Sequence, residues 1–307
     1  MNKLILPVLL FFATFSCLAQ DADSLLKQLN PDSLQSISST FKSTRIVLVQ
    51  SSETQKKYDL DFRVRHHFGD IGGNFGGSHT LFGLDAASDL FIGLDYGISD
   101  KFTIGIGRSR QDELYNLLLK YKLLEQSPDK MPFTLTLFGQ GGWIMRKPFS
   151  SNEFNNYSSR FSYFFQGIVA RRFSHALSLE LLPGYLIRNQ ATDVLDNENL
   201  FSLGFAGRLK LTKRLSFVAD YQLVNAFGRP SDLSETYYNP LGVGLEIETG
   251  GHIFSLNFMN SEYIVENNFI PNTKKSWQNG GVRFGFTISR NFTLKKPKNK
   301  DIESKIY

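Results

Sequence analysis

The sequence predicts an all-β chain: a closed, up-and-down antiparallel transmembrane β-barrel of about twelve strands behind a short N-terminal periplasmic segment. Three observations carry this. Strand-length stretches alternate large apolar residues with small or polar ones, the connections between them alternate short and long, and the last stretch ends on an aromatic. Composition agrees, with 28 Phe, 12 Tyr and 25 Gly against only 10 Pro, the balance of aromatic strands and tight turns.

Each element can be justified in order. Residues 1–19 read as an export signal: Lys3 gives a positive start, 4–15 an apolar core, and Cys17-Leu18-Ala19 a small-residue cleavage site. An alternative makes Cys17 a lipoprotein cysteine, although Thr14-Phe15-Ser16 fits a lipobox poorly. With cleavage after Ala19 the mature chain has no cysteine, which removes disulfide and thiolate chemistry. Residues 20–57 form an N-terminal periplasmic segment: polar, with short helical patterns up to Phe41, then a short strand over 43–50 (STRIVLVQ) that could serve as a plug. The barrel domain spans 58–292, and 293–307 is a basic tail.

Within the barrel the strands are expected at 58–68, 88–96, 102–108, 113–123, 132–145, 159–173, 177–188, 200–211, 215–224, 240–249, 252–259 and 282–292. Short turns fall at 99–101, 126–131, 174–176, 212–214 and 250–251. Longer loops fall at 69–87, 147–158, 189–199, 226–239 and 260–281, and only 109–112 is brief where a long one is due. Outer-membrane barrels alternate short periplasmic turns with long outer loops, whereas a soluble sandwich has no reason to. The final stretch, VRFGFTISRNF, sets Val282, Phe284, Phe286 and Ile288 against Arg283, Gly285, Thr287 and Ser289. It is the expected closing strand, pairing with 58–68 to remove both sheet edges.

Side-chain parity divides the faces. Outward fall residues such as Leu60, Phe62, Ile92, Leu94, Phe165 and Leu245. Inward fall Asp59, Asp61, Arg63, Arg65, His67, Asp89, Asp95, Glu180, Arg188, Arg208, Lys210, Asp220, Glu246, Glu248 and Arg283, the candidate lumen lining. Charges of both signs in a closed barrel pair with one another, because an unpaired buried charge is costly; the alternative is a selective solute path. A second inward set is apolar: Leu114, Leu118, Phe138, Phe164, Ile168, Leu182 and Leu186. It either packs against a plug, such as residues 45–49 or an inward-folded loop, or forms a slot for an apolar ligand.

Enzyme signatures are missing from the sequence. The five histidines lack metal-ligand spacing, and adjacent His66 and His67 face opposite ways. No Gly-x-Ser-x-Gly elbow appears, and Gly69-Asp70-Ile71-Gly72-Gly73 lacks the Lys-Ser/Thr of a phosphate loop. No enzyme activity, cofactor or metal is expected, and a +5 charge spread along an exported chain argues against nucleic acid.

Several short motifs carry a resemblance. They are Phe41-Lys42-Ser43-Thr44-Arg45, Leu60-Asp61-Phe62-Arg63, His66-His67-Phe68-Gly69-Asp70, Gly93-Leu94-Asp95-Tyr96-Gly97-Ile98, Glu248-Thr249-Gly250-Gly251-His252 and Phe284-Gly285-Phe286. With them the chain resembles the uncharacterised secreted β-barrel family numbered 5777 among domains of unknown function. The resemblance implies an outer-membrane-type barrel from about residue 40 to 295 and brings no catalytic or ligand residue. The expected setting is the outer membrane of a gram-negative bacterium, with membrane lipid, the barrel-assembly machinery (through the C-terminal strand) and a periplasmic protein as partners. The functions left open are a narrow channel or passive transport barrel, a non-conducting structural or docking barrel, and a barrel handling lipid or apolar ligands.

Overall fold

The computed structural model describes residues 39–127 and 130–295; the expected export signal over 1–19, the expected periplasmic segment before Ser39, and the tail beyond Lys295 lie outside them. Twelve antiparallel strands close into one barrel, each paired with its neighbours in sequence and the last with the first. In order they are β1 (Asp59–Asp70), β2 (Ala87–Ser99), β3 (Phe102–Ser109), β4 (Leu114–Leu124), β5 (Thr134–Ile144), β6 (Phe161–Arg172), β7 (Leu177–Arg188), β8 (Asn199–Lys210), β9 (Leu215–Leu223), β10 (Leu241–Thr249), β11 (His252–Met259) and β12 (Arg283–Thr293). The closing seam sets Leu60 opposite Phe292 and Val64 opposite Ile288, with an irregularity between His67 and Asp70. Closure leaves no unpaired edge, which a membrane-spanning sheet requires because lipid offers no hydrogen bonds.

The outer face is an apolar belt. Phe62, Ile92, Leu119, Phe165, Phe217 and Leu245 are among its exposed large side chains. Aromatic stacks mark its ends, as where Trp143 lies flat against Phe161 at 5.7 Å. Among the described residues no helix is long and apolar enough to cross a membrane. Short turns gather at one end of the barrel. Gly250 and Gly251, between β10 and β11, sit at φ of 40° and 108°, left-handed values that a two-residue hairpin turn demands and glycine tolerates.

Two chain segments occupy the interior. From the short-turn end comes an irregular hairpin, residues 39–57. The short strand expected over 43–50 is not formed: one isolated bridge joins Arg45 to Gln50 and the Ile46 N–H donates to the Val49 carbonyl, closing a tight turn. A strand needs a ladder partner, and here the backbone donors of the turn go to a wall carboxylate instead. From the other end the long β11–β12 loop folds inward and carries a short helix, α1 (Glu266–Asn272), buried along nearly its whole length.

Candidate functional site

The lumen is the candidate site, and its chemistry is set by how wall, hairpin and loop fit together. The hairpin is tethered at its base. The Lys57 N–H donates to Asp100 Oδ1 at 2.9 Å, Thr54 Oγ1 donates to the Asp100 carbonyl, and Ser178 Oγ donates to the Thr40 carbonyl at 2.6 Å. Both arms therefore meet the wall near the short-turn end. At the same level, Glu53 accepts from the Thr40 and Phe41 N–H groups and pairs with Lys122 at 3.0 Å, locking the arms together.

The turn is held by three polar wall residues. Asp220 Oδ2 accepts from the N–H groups of Val47 and Leu48 at 2.8 and 2.7 Å, so one carboxylate caps the exposed donors of the turn. Lys120 Nζ donates to the carbonyls of Thr44 and Ser51, at 2.9 and 3.1 Å, one on each arm. Arg65 donates through Nη2 to the Val47 carbonyl and through Nη1 to the Ile264 carbonyl of the opposite loop. A second residue also joins the two intrusions. Glu266 of α1 is fully buried, and its Oε1 accepts from Arg45 Nη1 at 2.9 Å and from Gln50 Nε2 at 2.8 Å. Its Oε2 accepts from Gln140 of the wall. Hairpin and loop therefore meet inside the barrel and are clasped at Arg65 and Glu266.

The inward charges take three kinds of place. Asp61, Arg63, Arg65, His67, Asp89, Asp95, Glu180, Arg188, Asp220, Glu246 and Arg283 are all buried. Pairing is widespread: Asp61 with Arg63, Arg208 with Glu246 at 2.8 Å, Arg283 with Asp70 at 2.7 Å, and Arg188 with Asp196 at 2.9 Å. Others serve the inserted segments, as Glu180 does by accepting from the Ser52 N–H and Asp89 from the Ile264 N–H. Asp59, Lys210 and Glu248 are more exposed and sit by the short turns; Asp59 accepts from Thr293 and Glu248 pairs with Lys42. They belong to the rim rather than the buried wall.

The apolar strip resolves differently. Leu118, Phe138, Phe164, Ile168, Leu182 and Leu186 form one buried cluster with Phe41, Ile46, Val47, Leu48 and Val49 of the hairpin and Phe269 and Ile270 of α1. Leu114 packs instead with Ile264, Val265 and Phe91. The strip is thus the core against which the insertions seat, and the slot for an apolar ligand considered above is filled by protein.

Sequence reasoning missed Glu266, Gln50, Lys120 and Gln140. Glu266 lies outside the expected strands, Gln50 ends the short strand expected over 43–50, and Lys120 and Gln140 lie in expected strands but not among the candidate lining residues. The usable signal was parity: Lys120 falls inward between Leu118 and Lys122, where a buried cation demands acceptors. Among the described residues no group of three or more His, Cys, Asp or Glu is placed to hold a metal ion.

At the long-loop end, Arg146 donates from Nε to Asp112 Oδ1 at 2.8 Å and from Nη2 to Glu153 Oε1 at 2.5 Å. Those bonds hold the Glu153 carboxyl below the usual carboxylate range and raise Arg146 further above its already high value. Asp196 receives Arg188 and Arg229, which outweigh the upward push of burial and leave its carboxyl lowered.

A family model described as a membrane bound beta barrel domain (DUF5777) matches residues 41–292. The chain belongs to this family. It is therefore a membrane-bound barrel whose family match begins inside the plugging hairpin, so the hairpin falls within the family's domain. No curated protein matches the chain. Solved structures similar to it include the NanC porin, at 10% identity over 76% of this chain and 100% of that one with a TM-score of 0.46. An outer membrane channel from Pseudomonas putida F1 shows 12% identity over 78% and 98%, TM-score 0.45. The translocator domain of the autotransporter NalP from Neisseria meningitidis shows 11% over 89% and 95%, TM-score 0.39. At such scores these likenesses carry no substrate or activity to this chain.

Proposed function

We propose that this chain is an outer-membrane barrel that rests closed and passes solute only when the 39–57 hairpin withdraws toward the periplasm. The observation that carries the reading is the hairpin's attachment. Both its arms are tethered at the short-turn end, so it can leave by that mouth without threading a strand. Its turn is gripped by hydrogen bonds to Asp220, Lys120 and Arg65, groups that water can replace once the lumen opens. Charges of both signs then line the passage, which suits a small hydrophilic solute. No part of this reading calls for catalysis.

Planar-bilayer conductance tests it. Full-length protein should be silent or nearly so, and deletion of residues 39–52 should give discrete conducting steps. A deletion variant that inserts, shows heat-modifiable gel mobility and still never conducts would sink the channel reading.

A second reading, a permanently closed docking barrel, is favoured by filling from both ends and by the buried Glu266 clasp. It predicts a periplasmic protein that co-purifies with the full chain and is lost when residues 20–43 are deleted.

A further inference from the structure

The long-loop mouth contains a cavity of about 310 Å³, at the lower end of the size range of small-ligand clefts. Its walls come from the β5–β6 and β7–β8 loops and from α1, which contributes Asn267, Asn268 and Asn272. The lining carries four cations, Arg146, Arg160, Arg188 and Lys274, and two anions, Asp112 and Glu153, a formal balance of +2. Arg146 holds both anions, which leaves that group with one negative charge in excess, facing Arg160. Arg188 shares Asp196 with Arg229, which leaves that group with one positive charge in excess. Arg160 and Lys274 are the remaining cations of the lining. Arg160 is fixed by donating through Nη1 to the carbonyls of Ile144 and Arg146, neither of which cancels its charge. Lys274 has an exposed partner, Glu235, at 3.6 Å, a pairing worth little in water.

We propose that this cavity binds a small hydroxylated anion, of the sugar-phosphate or sugar-acid class, and that α1 transmits its occupation to the plugging hairpin. The positive balance of the lining sets the sign of the ligand. The amide of Asn272 and the second amide hydrogens of Asn267, Asn268 and Gln190, whose first ones go to Ser162, Asp112 and the Glu153 carbonyl, suit hydroxyl groups rather than a bare ion. The route inward is short. Asn267 and Asn268 line the cavity, and Glu266, next to them on α1, holds Arg45 and Gln50 of the hairpin. Asn267 is itself anchored, accepting from Gln140 at 2.6 Å and donating to Ser162 at 2.8 Å. A ligand that draws on the asparagines therefore pulls on the residue beside the clasp. The transmission step rests on the gated reading above; the site does not.

Two measurements separate them. The first is isothermal titration of the detergent-solubilised full chain with glucose 6-phosphate, with glucose as the neutral control. Saturable heat is expected from the phosphate ester alone, weaker at high salt. Affinity should fall at least about tenfold in Arg160→Gln and in Lys274→Gln, the loss of one charge-assisted contact. Lys274→Gln touches no backbone anchor and guards against a merely misfolded loop. No saturable heat, equal heat from glucose, or full affinity in both variants overturns the site. The second measurement is maleimide labelling of Leu48→Cys, at the hairpin turn, with and without glucose 6-phosphate. A change of about fivefold or more supports transmission, by the ordinary scale of coupling between sites. Binding without any change in labelling overturns transmission and leaves the site standing.

Discussion

Asp220 offers the sharpest perturbation. Its Oδ2 accepts two short backbone hydrogen bonds, from Val47 at 2.8 Å and Leu48 at 2.7 Å, and a longer one from Val49 at 3.4 Å. A hydrogen bond to a charged group contributes about 1.5–3 kcal/mol net, so the two short ones hold the seated hairpin by roughly 3–6 kcal/mol. In Asp220→Leu those donors lose their acceptor while the hairpin stays seated. Taking the lower end, the unseated population should rise about a hundredfold, since each ~1.4 kcal/mol is a factor of ten. The readout is the labelling rate of Leu48→Cys by a water-soluble maleimide, in a background where Cys17, the one native cysteine, is changed to Ala. Leu48 is fully buried when seated, so labelling reports excursions of the hairpin. Barrel integrity is checked separately by heat-modifiable mobility, because Asp220 lies on a wall strand whose backbone pairing the substitution leaves intact. Labelling that stays within about threefold of the parent, against the hundredfold expected from these hydrogen bonds, would show that Asp220 does not hold the hairpin.

Three further outcomes follow from the same geometry. Glu266→Leu leaves Arg45 buried without its carboxylate and should cost about 3–5 kcal/mol, most of it recovered in Arg45→Met/Glu266→Leu; urea unfolding in detergent reads both, and an unchanged single variant refutes the clasp. Leu119→Arg, at the middle of β4 on the lipid-facing side, should lower barrel stability by about 2–4 kcal/mol in refolding titrations into lipid vesicles, whereas a water-facing position would tolerate it. Glu153 has a carboxyl pKa depressed in the folded loop, so its contribution is present above the unfolded carboxylate pKa and lost as pH falls through the lower folded value. Protease cutting within residues 147–158 should therefore accelerate on acidification below about pH 4.5, the free glutamate range, and Glu153→Gln should cut fast at neutral pH as well.

The wall was legible because a strand's period of two leaves no freedom: Phe62 outward forces Asp61 and Arg63 inward, and the register across β1 and β12 then follows from closure. Bounds shifted only at strand ends, where the chain leaves the ladder. Val282 falls just outside β12 and Thr293 just inside, and Tyr58 sits at φ 70° before β1 begins. The contents of the lumen were legible only in part. Residues 43–50 read as a strand because Ile46-Val47-Leu48-Val49 is apolar and β-branched at all but Leu48, yet no strand edge exists inside a closed barrel to pair with it. Loop 260–282 gave less warning. Its helix is seven residues long, contains Pro271, and is polar at Glu266, Asn267 and Asn268, so nothing in its periodicity marks it as buried. Its burial depends on partners such as Gln140, Ser162 and Arg45, which pattern alone cannot bring together.

The inward apolar parity of β4 to β7 is nonetheless a usable signal about mechanism. An open aqueous pore has no use for Leu118, Phe164 and Leu182 on one wall, because water against that surface gains nothing and weakens no competing state. Such a wall is stable only if something apolar covers it, and the chain supplies a cover that is apolar at Ile46–Val49 and polar on either side. The opposite wall, charged at Asp61, Arg63, Arg65 and Asp95, would suit water as readily as protein. Such a barrel holds its plug by adhesion to the apolar wall and by exchangeable hydrogen bonds to polar residues spread around it, Lys120 on β4, Asp220 on β9 and Arg65 on β1. Apolar contact gives the closed state its depth, while Asp220, Lys120 and Arg65 fix where the turn seats. On this division, trimming the apolar side with Leu182→Ala should raise hairpin labelling without shifting its position, whereas Arg65→Met should let the turn seat elsewhere. Spin-label distances from the hairpin to β9 distinguish the two outcomes, and identical distance distributions in both variants would refute the division of roles.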